Sequence, residues 1–269
     1  MLDARELAMK MIKRSLRRSP LYRDQNQTLL SIEQKPLKFN SQYKQDKYVY
    51  ENLFPNKFGG RYVEVGAFDG IRLSNTLFFE QYFNWTGLLI EPDPIAFTAL
   101  KHANRSAWLL EGCIGSDPYK LRTMKLQTNI RGGDAFAFVK DIPGLHFIYR
   151  AHADKRSLRI VNVTCFPLNL ILEVLGWTYV DYFSLDVEGV EPSVLLNFNF
   201  NAVRIGVIGV ECSACNRRGL RNLRGTNRAN TVMVRFFLRQ LMQLNGYRER
   251  KFVGQDIFYV RKDFKLNNQ

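Results

Sequence analysis

The chain has 269 residues, a formal net charge of +14 and 46% hydrophobic residues, a composition that can bury one sizeable core. Its longest apolar runs, at 135–139 and 205–210, are far shorter than a membrane-crossing helix, and residues 1–18 lack the continuous apolar stretch of a signal peptide. We therefore expect one domain without a membrane span, either cytoplasmic or separated from an N-terminal anchor.

The N-terminal region has the pattern of an appendage. Residues 2–18 carry apolar side chains at helical spacing in a basic background, which predicts an amphipathic helix, and residues 22–38 are polar and extended. A second helical pattern covers 45–53 and ends at Phe54-Pro55. We interpret residues 1–38 as a stem or lid and residues 39–269 as the domain proper.

Strands and helices then alternate along the domain. The first half predicts strands at 62–65, 87–90 and 107–111, with helices at about 74–82 and 94–103. After an irregular insertion at about 116–157 come a short strand ending near Phe166, strands 182–185 and 204–211, helices 168–175, 192–196 and 231–244, and an antiparallel pair at 247–252 and 257–261. The apolar strands predict an α/β, Rossmann-like sheet, seven-stranded and mostly parallel, with helices on both faces.

The first strand ends in a turn with two glycines and an acid, R-Y-V-E-V-G-A-F-D-G (61–70). Gly66 and Gly70 permit close approach of the backbone to a ligand at the carboxyl end of the sheet. Glu64 and Asp69 would repel the pyrophosphate of a dinucleotide. They suit a cofactor with a cationic amino group and a sulfonium, which is S-adenosylmethionine.

The next two strand ends extend this predicted cofactor site. The second strand ends L-L-I-E-P-D, and Glu91, 21 residues after Gly70, is expected to accept both ribose hydroxyl protons, with Pro92 beside it. The third strand end predicts the adenine position, with Cys113 and Ile114 forming its wall.

The fourth strand ends in S-L-D-V-E-G-V-E, a run that packing does not explain. Asp186 and Glu188 alternate with apolar residues, so both carboxylates are expected to point the same way. One can orient the amino group of the cofactor, and the other can accept a proton during methyl transfer. His152, in the insertion, is a further candidate base. Acidic capping of the next helix and a solvated loop histidine remain as alternatives.

Metal and cysteine signals are weaker. Asp186 and Glu211 lie at adjacent predicted strand ends and could hold a divalent ion, an option that we do not adopt. A disulfide between Cys113 and Cys165 is conceivable, but sequence does not fix connectivity. The spacing of Cys212 and Cys215 is a weak zinc or redox signal, and we expect plain thiols.

The positive charge is concentrated near the C-terminus. Residues 216–269 hold thirteen Lys and Arg against three Asp and Glu, and the segment from Arg217 to Arg228 contains five arginines. Two interpretations stay open, a solvated basic face and a loop that contacts an anionic partner.

Several segments together resemble animal FkbM-type methyltransferases over about residues 41–261. They are S-Q-Y-K-Q-D (41–46), Y-V-E-V-G-A-F-D-G (62–70), S-N-T-L-F-F-E (74–80), W-T-G-L-L-I-E-P-D-P (85–94), C-F-P-L (165–168), D-Y-F-S-L-D-V-E-G-V-E (181–191) and the final G-Q-D-I-F-Y-V-R. The resemblance implies a class I methyltransferase fold and S-adenosylmethionine-dependent O-methylation. It also implies that Gly66, Asp69, Gly70, Glu91 and Asp186 fall on the cofactor side.

The resemblance suggests a hydroxyl acceptor, for which a glycan sugar is our leading expectation, in the Golgi or another secretory-pathway lumen. Sequons at Asn26, Asn84, Asn104 and Asn162 allow such exposure. Methylation of nucleic-acid bases is disfavoured, because Pro192 stands alone where an Asn/Asp-Pro-Pro-aromatic turn would be expected. Two alternatives remain: a Star-like binding protein of the secretory pathway, and an RNA ribose methyltransferase that binds through the 217–228 arginines.

Overall fold

A central sheet of eight strands and a smaller sheet of four strands form the β-structure of the protein. The computed structural model describes residues 3–19, 36–129, 138–140, 158–212, 215 and 226–265. The strands are β1 Leu16–Arg18, β2 Arg61–Val65, β3 Thr86–Glu91, β4 Ala107–Glu111, β5 Cys113–Ile114, β6 Arg122–Asn129, β7 Phe138–Lys140, β8 Leu158–Phe166, β9 Tyr179–Leu185, β10 Arg204–Glu211, β11 Tyr247–Val253 and β12 Asp256–Arg261. The helices are α1 Ala4–Ser15, α2 Gln45–Asn52, α3 Leu77–Phe83, α4 Pro94–Lys101, α5 Leu168–Val174, α6 Glu191–Leu196 and α7 Thr226–Leu244.

The large sheet has the strand order β1-β4-β3-β2-β9-β10-β12-β11. Strands β4, β3, β2, β9 and β10 are parallel, and β12 runs antiparallel between β10 and β11. The predicted parallel core and terminal hairpin are confirmed. From β2 the chain proceeds outward in one direction to β3 and later returns to β9 on the other side, so the switch point lies at the carboxyl ends of β2 and β9.

Helices cover both faces of this sheet, as predicted. Buried side chains of α1, α5, α6 and α7 pack in one apolar cluster on one face. Those of α2, α3 and α4 pack in a second cluster on the other face. Strand β3 is buried along its whole length, which explains the apolar run at 88–90. None of the described helices is long and apolar enough to cross a bilayer.

The N-terminal helix, which we predicted as a stem or lid, packs onto the domain instead. An Asp3–Glu6 capping box begins α1, and Ala8 and Ile12 are buried in the main apolar cluster. The following strand β1 pairs antiparallel with β4 and becomes the eighth strand of the sheet. The amphipathic pattern therefore predicted the helix correctly, but the domain covers its Ala8 and Ile12 side, while Leu7 and Met11 stay exposed.

The insertion, predicted as irregular, contains regular structure in its described part. Strand β6 pairs antiparallel with β8 and β7, and β8 pairs parallel with β5, so that the small sheet has the order β5-β8-β6-β7. Along β6 the side chains of Leu126 and Thr128 are buried while Thr123 and Lys125 are exposed. This period of two is the strand signal that the sequence interpretation missed.

All four cysteines are paired. Cys113 of β5 is bonded to Cys165 of β8, with Cα atoms 4.3 Å apart, and Cys212 is bonded to Cys215, with Cα atoms 5.2 Å apart. The first pair matches the disulfide that we considered conceivable. The expectation of plain thiols at Cys212 and Cys215 was wrong, because a three-residue separation brings the two Cα atoms within disulfide reach.

Candidate active site

A cavity of about 740 Å³ opens at the carboxyl ends of the central strands. Its charge is opposite to that of the chain. Seven acidic residues line it, against Lys38 and Arg72 as the basic ones: Glu64, Glu91, Asp93, Asp186, Glu188, Glu211 and Asp256. In a molecule with a net charge of +14, this cavity favours a cationic ligand and disfavours a phosphate.

The turn after β2 forms part of the cavity floor. Gly66 has a φ of +84°, and a Cβ atom added there would lie 2.2 Å from the carbonyl oxygen of Asp186. The Asp186 N–H donates to the carbonyl of Val65 at 3.1 Å, so β2 and β9 stay in contact up to their ends. Glycine is therefore required at Gly66 for the close approach of these two strand ends.

Glu64 lines the cavity, but its carboxylate is engaged by the protein. One oxygen accepts from the Asn75 N–H at 2.7 Å, and the other accepts from the hydroxyls of Ser74, at 2.9 Å, and Thr76. Burial raises the pKa of Glu64, and the nearby Arg105 opposes that rise. Glu64 thus fixes the loop before α3 rather than presenting an unengaged carboxylate to a ligand.

Asp69 and Gly70, both predicted to bind the cofactor, are not among the residues that line the cavity. Asp69 accepts from the N–H groups of Ile71 and Arg72, at 2.9 and 2.8 Å. Burial opposes its ionisation, but these bonds and the Arg72 side chain outweigh burial and lower the pKa of Asp69. The structure therefore gives Asp69 a role in shaping the turn, and direct contact with the cofactor stays a prediction.

Arg105, which the sequence interpretation missed, supports the same turn from below. Its side chain is 1% exposed and donates to the carbonyl of Gly70 and to Glu80 Oε1, the latter at 2.9 Å. It also donates to the Thr76 hydroxyl at 2.8 Å. A lone arginine between two predicted elements gave no signal of this position.

Glu91 lies buried at the end of β3, on the cavity wall. Its two oxygens accept from the N–H groups of Phe68, at 2.7 Å, and Asp93, at 2.8 Å. Burial raises the pKa of Glu91 to about 7. Because a carboxylate oxygen has two lone pairs, each oxygen retains one for a further donor. Beside it, an apolar wall suits a flat ring: Pro92, Ala96, Cys113, Ile114 and Leu126.

Asp93 ties the small sheet to this wall, a link that the sequence did not reveal. Its carboxylate caps α4 by accepting from the Ile95 N–H at 2.7 Å. It also accepts from Arg159 Nη2, at 2.8 and 3.0 Å, and from the Thr128 hydroxyl. Hydrogen bonds outweigh partial burial and lower the pKa of Asp93, so it stays ionised.

Asp186, Glu188 and Glu211 come together beyond β9 and β10. Their carboxylate oxygens lie within 4.8 Å of one another, and among the described residues this is the group that could hold a metal ion. We predicted that strand alternation would point Asp186 and Glu188 the same way, and this reason was wrong. Strand β9 ends at Leu185, and Glu188 has a φ of +55°. A turn brings the two side chains to the same cavity.

These carboxyl groups share protons rather than all ionising. Burial raises the pKa of Asp186 to about 6, and its hydrogen bond with Glu211 limits the rise. Burial and the charges of Asp186 and Glu188 raise the pKa of Glu211 far above its ordinary value. At neutral pH Glu211 is therefore a neutral donor to the Asp186 carboxylate.

A neutral polar wall lines the same cavity as the carboxylates. It consists of side-chain amides and a tyrosine, from Asn40, Gln42, Tyr43, Gln45, Asn75 and Gln255. Gln255 donates to the Tyr43 hydroxyl at 2.9 Å, and the buried Asp46 accepts from the Asn40 N–H at 2.6 Å, so the segment before α2 is held in place. The S-Q-Y-K-Q-D and G-Q-D segments supply Gln42, Tyr43, Gln45 and Gln255 of this wall, although their pattern alone did not assign them to the site.

Two predicted parts of the site lie outside the described residues. They are His152, the candidate base of the insertion, and most of the segment from Arg217 to Arg228, whose side chains are not described. The structure therefore brings together Glu64, Gly66, Glu91, Pro92, Cys113, Ile114, Asp186, Glu188 and Glu211.

The comparison with known families follows this geometry. The family described as Methyltransferase FkbM domain matches residues 64–249, which is more than half of the chain. The chain belongs to the FkbM methyltransferase family. The match includes the strand ends that carry Glu91, Asp186 and Glu211, so the resemblance noted from the sequence is confirmed. No curated protein matches the chain.

Solved structures similar to this FkbM methyltransferase are distant. One is a TehB-like SAM-dependent methyltransferase from Corynebacterium glutamicum, at 14% identity and a TM-score of 0.35, covering 82% of this chain and 86% of that one. Another is a precorrin-6y C5,15-methyltransferase from Geobacter metallireducens, at 9% identity and a TM-score of 0.37, covering 90% and 97%. At such scores we base no argument on either structure.

The cavity of this FkbM methyltransferase fits S-adenosylmethionine, the cofactor of the family. Two features of the residues support the fit. Carboxylates of Asp186 and Glu188 suit a cationic sulfonium and amino group, and the free lone pairs of Glu91 suit ribose hydroxyls. The apolar wall beside Ile114 suits the adenine ring.

Proposed function

We propose that this protein methylates a hydroxyl group of a neutral acceptor, for which a glycan sugar is the leading candidate. The observation that carries the proposal is the meeting, in one cavity, of the carboxylate cluster with a wall of neutral amides. A hydroxyl nucleophile needs a proton acceptor beside it. A polyhydroxylated acceptor needs uncharged donors and acceptors around it.

Residues at the strand ends would hold S-adenosylmethionine, which supplies an electrophilic methyl group when it is bound. Glu91 would accept the ribose hydroxyls, while Ile114 and Pro92 would pack against the adenine. Asp186 and Glu211 form a half-buried pair in the same cavity, where neighbouring acids keep the local potential negative.

Asp186 is the group that we assign to take the proton from the acceptor hydroxyl. Its pKa of about 6 leaves it ionised at neutral pH, yet close enough to neutrality for effective proton transfer. Glu211 keeps its own proton and donates to Asp186, which fixes the orientation of the carboxylate. Glu188 orients the acceptor or the cofactor amino group, and His152 stays a prediction.

The polar wall offers an unsatisfied acceptor for a second hydroxyl. Within the described residues, Asn75 Oδ1 is buried without a hydrogen-bond partner, while Asn75 Nδ2 donates to the Ser184 hydroxyl at 2.9 Å. A sugar hydroxyl could donate to this oxygen. The surrounding carboxylates disfavour a polyphosphate acceptor, which argues against RNA ribose methylation.

A lumenal compartment is consistent with the cysteine pairing. Two disulfides use all four cysteines, and such bonds persist mainly in oxidising environments. Asn104 and Asn162, each in a sequon, are exposed, whereas Asn84 is buried. We propose a Golgi or other secretory-pathway location on this basis. An unglycosylated, fully reduced protein purified from cells would favour the cytoplasm instead.

Labelled methyl transfer onto a glycan array tests the proposed acceptor. We expect label on neutral glycans from the wild-type protein and none from Asp186→Asn. Calorimetry with S-adenosylhomocysteine runs beside it. Cofactor binding without transfer to any hydroxyl-bearing acceptor would contradict the acceptor proposal. Absence of binding would favour the Star-like, non-catalytic alternative.

A further inference from the structure

The last acid of the S-L-D-V-E-G-V-E run, Glu191, has no role in the site described so far. It begins α6, is 4% exposed and is not among the residues that line the cavity. Its carboxylate nevertheless contacts the turn that carries Glu188. One oxygen, Oε1, accepts from the N–H groups of Val187, at 3.1 Å, and Gly189, at 3.0 Å. Glu191 therefore holds the residues on both sides of Glu188.

The turn at 187–189 has a backbone conformation that needs such support. Glu188 has a φ of +55° and Gly189 a φ of +102°, and positive values of φ are unfavourable for residues other than glycine. Conformations of this kind persist where the surrounding contacts impose them. The N–H of Glu188 itself donates to the Asp186 carboxylate. Two carboxylates thus bind the three N–H groups of this turn, whose Glu188 side chain lines the cavity.

We propose that Glu191 is a positioning residue, which holds Glu188 in the conformation that directs its carboxylate toward the amino group of the cofactor. Without the Glu191 carboxylate, two N–H groups of the turn lose their acceptor. The backbone of Glu188 then relaxes to a negative φ, and its side chain turns away from the amino group. This inference rests on the assignment of S-adenosylmethionine to the cavity and not on the identity of the acceptor.

Capping of α6 is the alternative role for this acid. A carboxylate in the first turn of a helix interacts favourably with the helix dipole. That role accounts for an acid at position 191, but not for its bonds to Val187 and Gly189, which precede the helix. A capping role would change the stability of the protein alone. A positioning role changes what Glu188 contacts.

Calorimetric titration with two nucleosides separates the two roles. S-adenosylhomocysteine carries the amino group, whereas 5′-methylthioadenosine has the adenosine and the sulfur but no amino acid portion. We expect Glu191→Ala to weaken binding of S-adenosylhomocysteine by about tenfold, as for the loss of one charge-assisted hydrogen bond. Its affinity for 5′-methylthioadenosine should stay within about twofold of wild type, because this ligand does not reach Glu188.

Glu191→Gln is the matched control. The amide oxygen of glutamine can accept from the same two N–H groups, so we expect both affinities to stay within about threefold of wild type. Gly189→Ala perturbs the same turn without removing a charge, because a φ of +102° is unfavourable for alanine. It should weaken binding of S-adenosylhomocysteine selectively, and it decides the outcome if Glu191→Ala does not fold.

A double-mutant cycle tests whether Glu191 acts through Glu188. Glu188→Ala alone should weaken binding of S-adenosylhomocysteine by about tenfold, and adding Glu191→Ala should cause no further loss. Losses that add in the double variant would overturn the proposal. So would an equal loss of affinity for both nucleosides, or S-adenosylhomocysteine affinity that is unchanged in Glu191→Ala or in Glu188→Ala.

Failure of this inference is distinguishable from failure of the proposed function. Neither titration requires an acceptor, so a glycan array without label would count against the proposed function alone. A wild-type protein that does not bind S-adenosylhomocysteine would overturn this inference together with the cofactor assignment.

Discussion

Removal of the Glu91 carboxylate should weaken cofactor binding by an amount that its contacts define. Two of its lone pairs accept from the N–H groups of Phe68 and Asp93, and the other two remain for two ribose hydroxyls. A hydrogen bond to a charged acceptor contributes about 1.5–3 kcal/mol. In Glu91→Ala, water replaces part of both ribose contacts, so we count the loss of one hydrogen bond. This loss corresponds to an increase in Kd of about 10- to 140-fold.

Calorimetric titration with S-adenosylhomocysteine measures this loss. Asp69→Ala is the matched control, because Asp69 belongs to the same loop but lies outside the cavity lining. We expect its affinity to stay within about threefold of wild type, given that it makes no direct contact. Thermal unfolding of both variants reports on loss of the turn hydrogen bonds. Affinity that falls in Asp69→Ala and stays unchanged in Glu91→Ala would refute the reasoning.

The pH dependence of the same titration adds a signed test. Burial raises the pKa of Glu91 to about 7, and only the ionised form offers both free lone pairs with a full charge. Affinity should therefore weaken as the pH falls through about 7. Glu91→Gln has no titrating group at this position and should show a flatter profile. Equal slopes in both proteins would assign the pH effect to another residue.

Three further predictions concern catalysis, stability and metal. Asp186→Asn should lower kcat by about 10²- to 10⁴-fold, a larger effect than its weakening of the cofactor affinity to which this carboxylate also contributes, and wild-type kcat should fall below a pH of about 6, where Asp186 becomes protonated; an active Asp186→Asn enzyme would exclude it as base. Arg105→Met should lower the free energy of unfolding, measured in urea, by about 3–5 kcal/mol, because Glu80 and Glu64 lose a buried partner. Arg122→Met removes an exposed ion pair and should change this free energy by less than about 1 kcal/mol. Dialysis against EDTA should leave methyl transfer unchanged, because Glu211 and Asp186 share a proton; activity lost and then restored by Mg²⁺ would assign a metal to Asp186, Glu188 and Glu211.

The parallel core was predictable because its signals are local. Residues 88–90 are an apolar run, and the acids Glu91, Asp186 and Glu211 each lie at the end of a buried strand. Parallel strands bring their carboxyl ends to one edge of the sheet. Acids that are far apart in the sequence could therefore be assigned to one site. The position of β12 between β10 and β11 could not be predicted, because a hairpin pattern does not determine which of its two strands pairs with the sheet.

What sequence reasoning missed depends on contacts between distant segments. Arg105 comes within 3.9 Å of Glu64 only after β4 and β2 are in place. Asp69 was predicted as a ligand contact because an acid at the glycine turn suits a cationic cofactor, yet its Oδ1 accepts from the N–H groups of Ile71 and Arg72. The burial of Ala8 and Ile12 depends on α5, so the amphipathic pattern alone did not distinguish a stem from a docked helix.

The central claim is that acidic strand ends converge on one sulfonium nucleoside. A crystal structure with S-adenosylmethionine bound tests it most directly. We predict ribose hydroxyls within hydrogen-bond distance of Glu91, and the amino acid portion beside Asp186 and Glu188. A nucleoside bound elsewhere, or a cavity closed by side chains from its own walls while the compound stays in solution, would contradict the account.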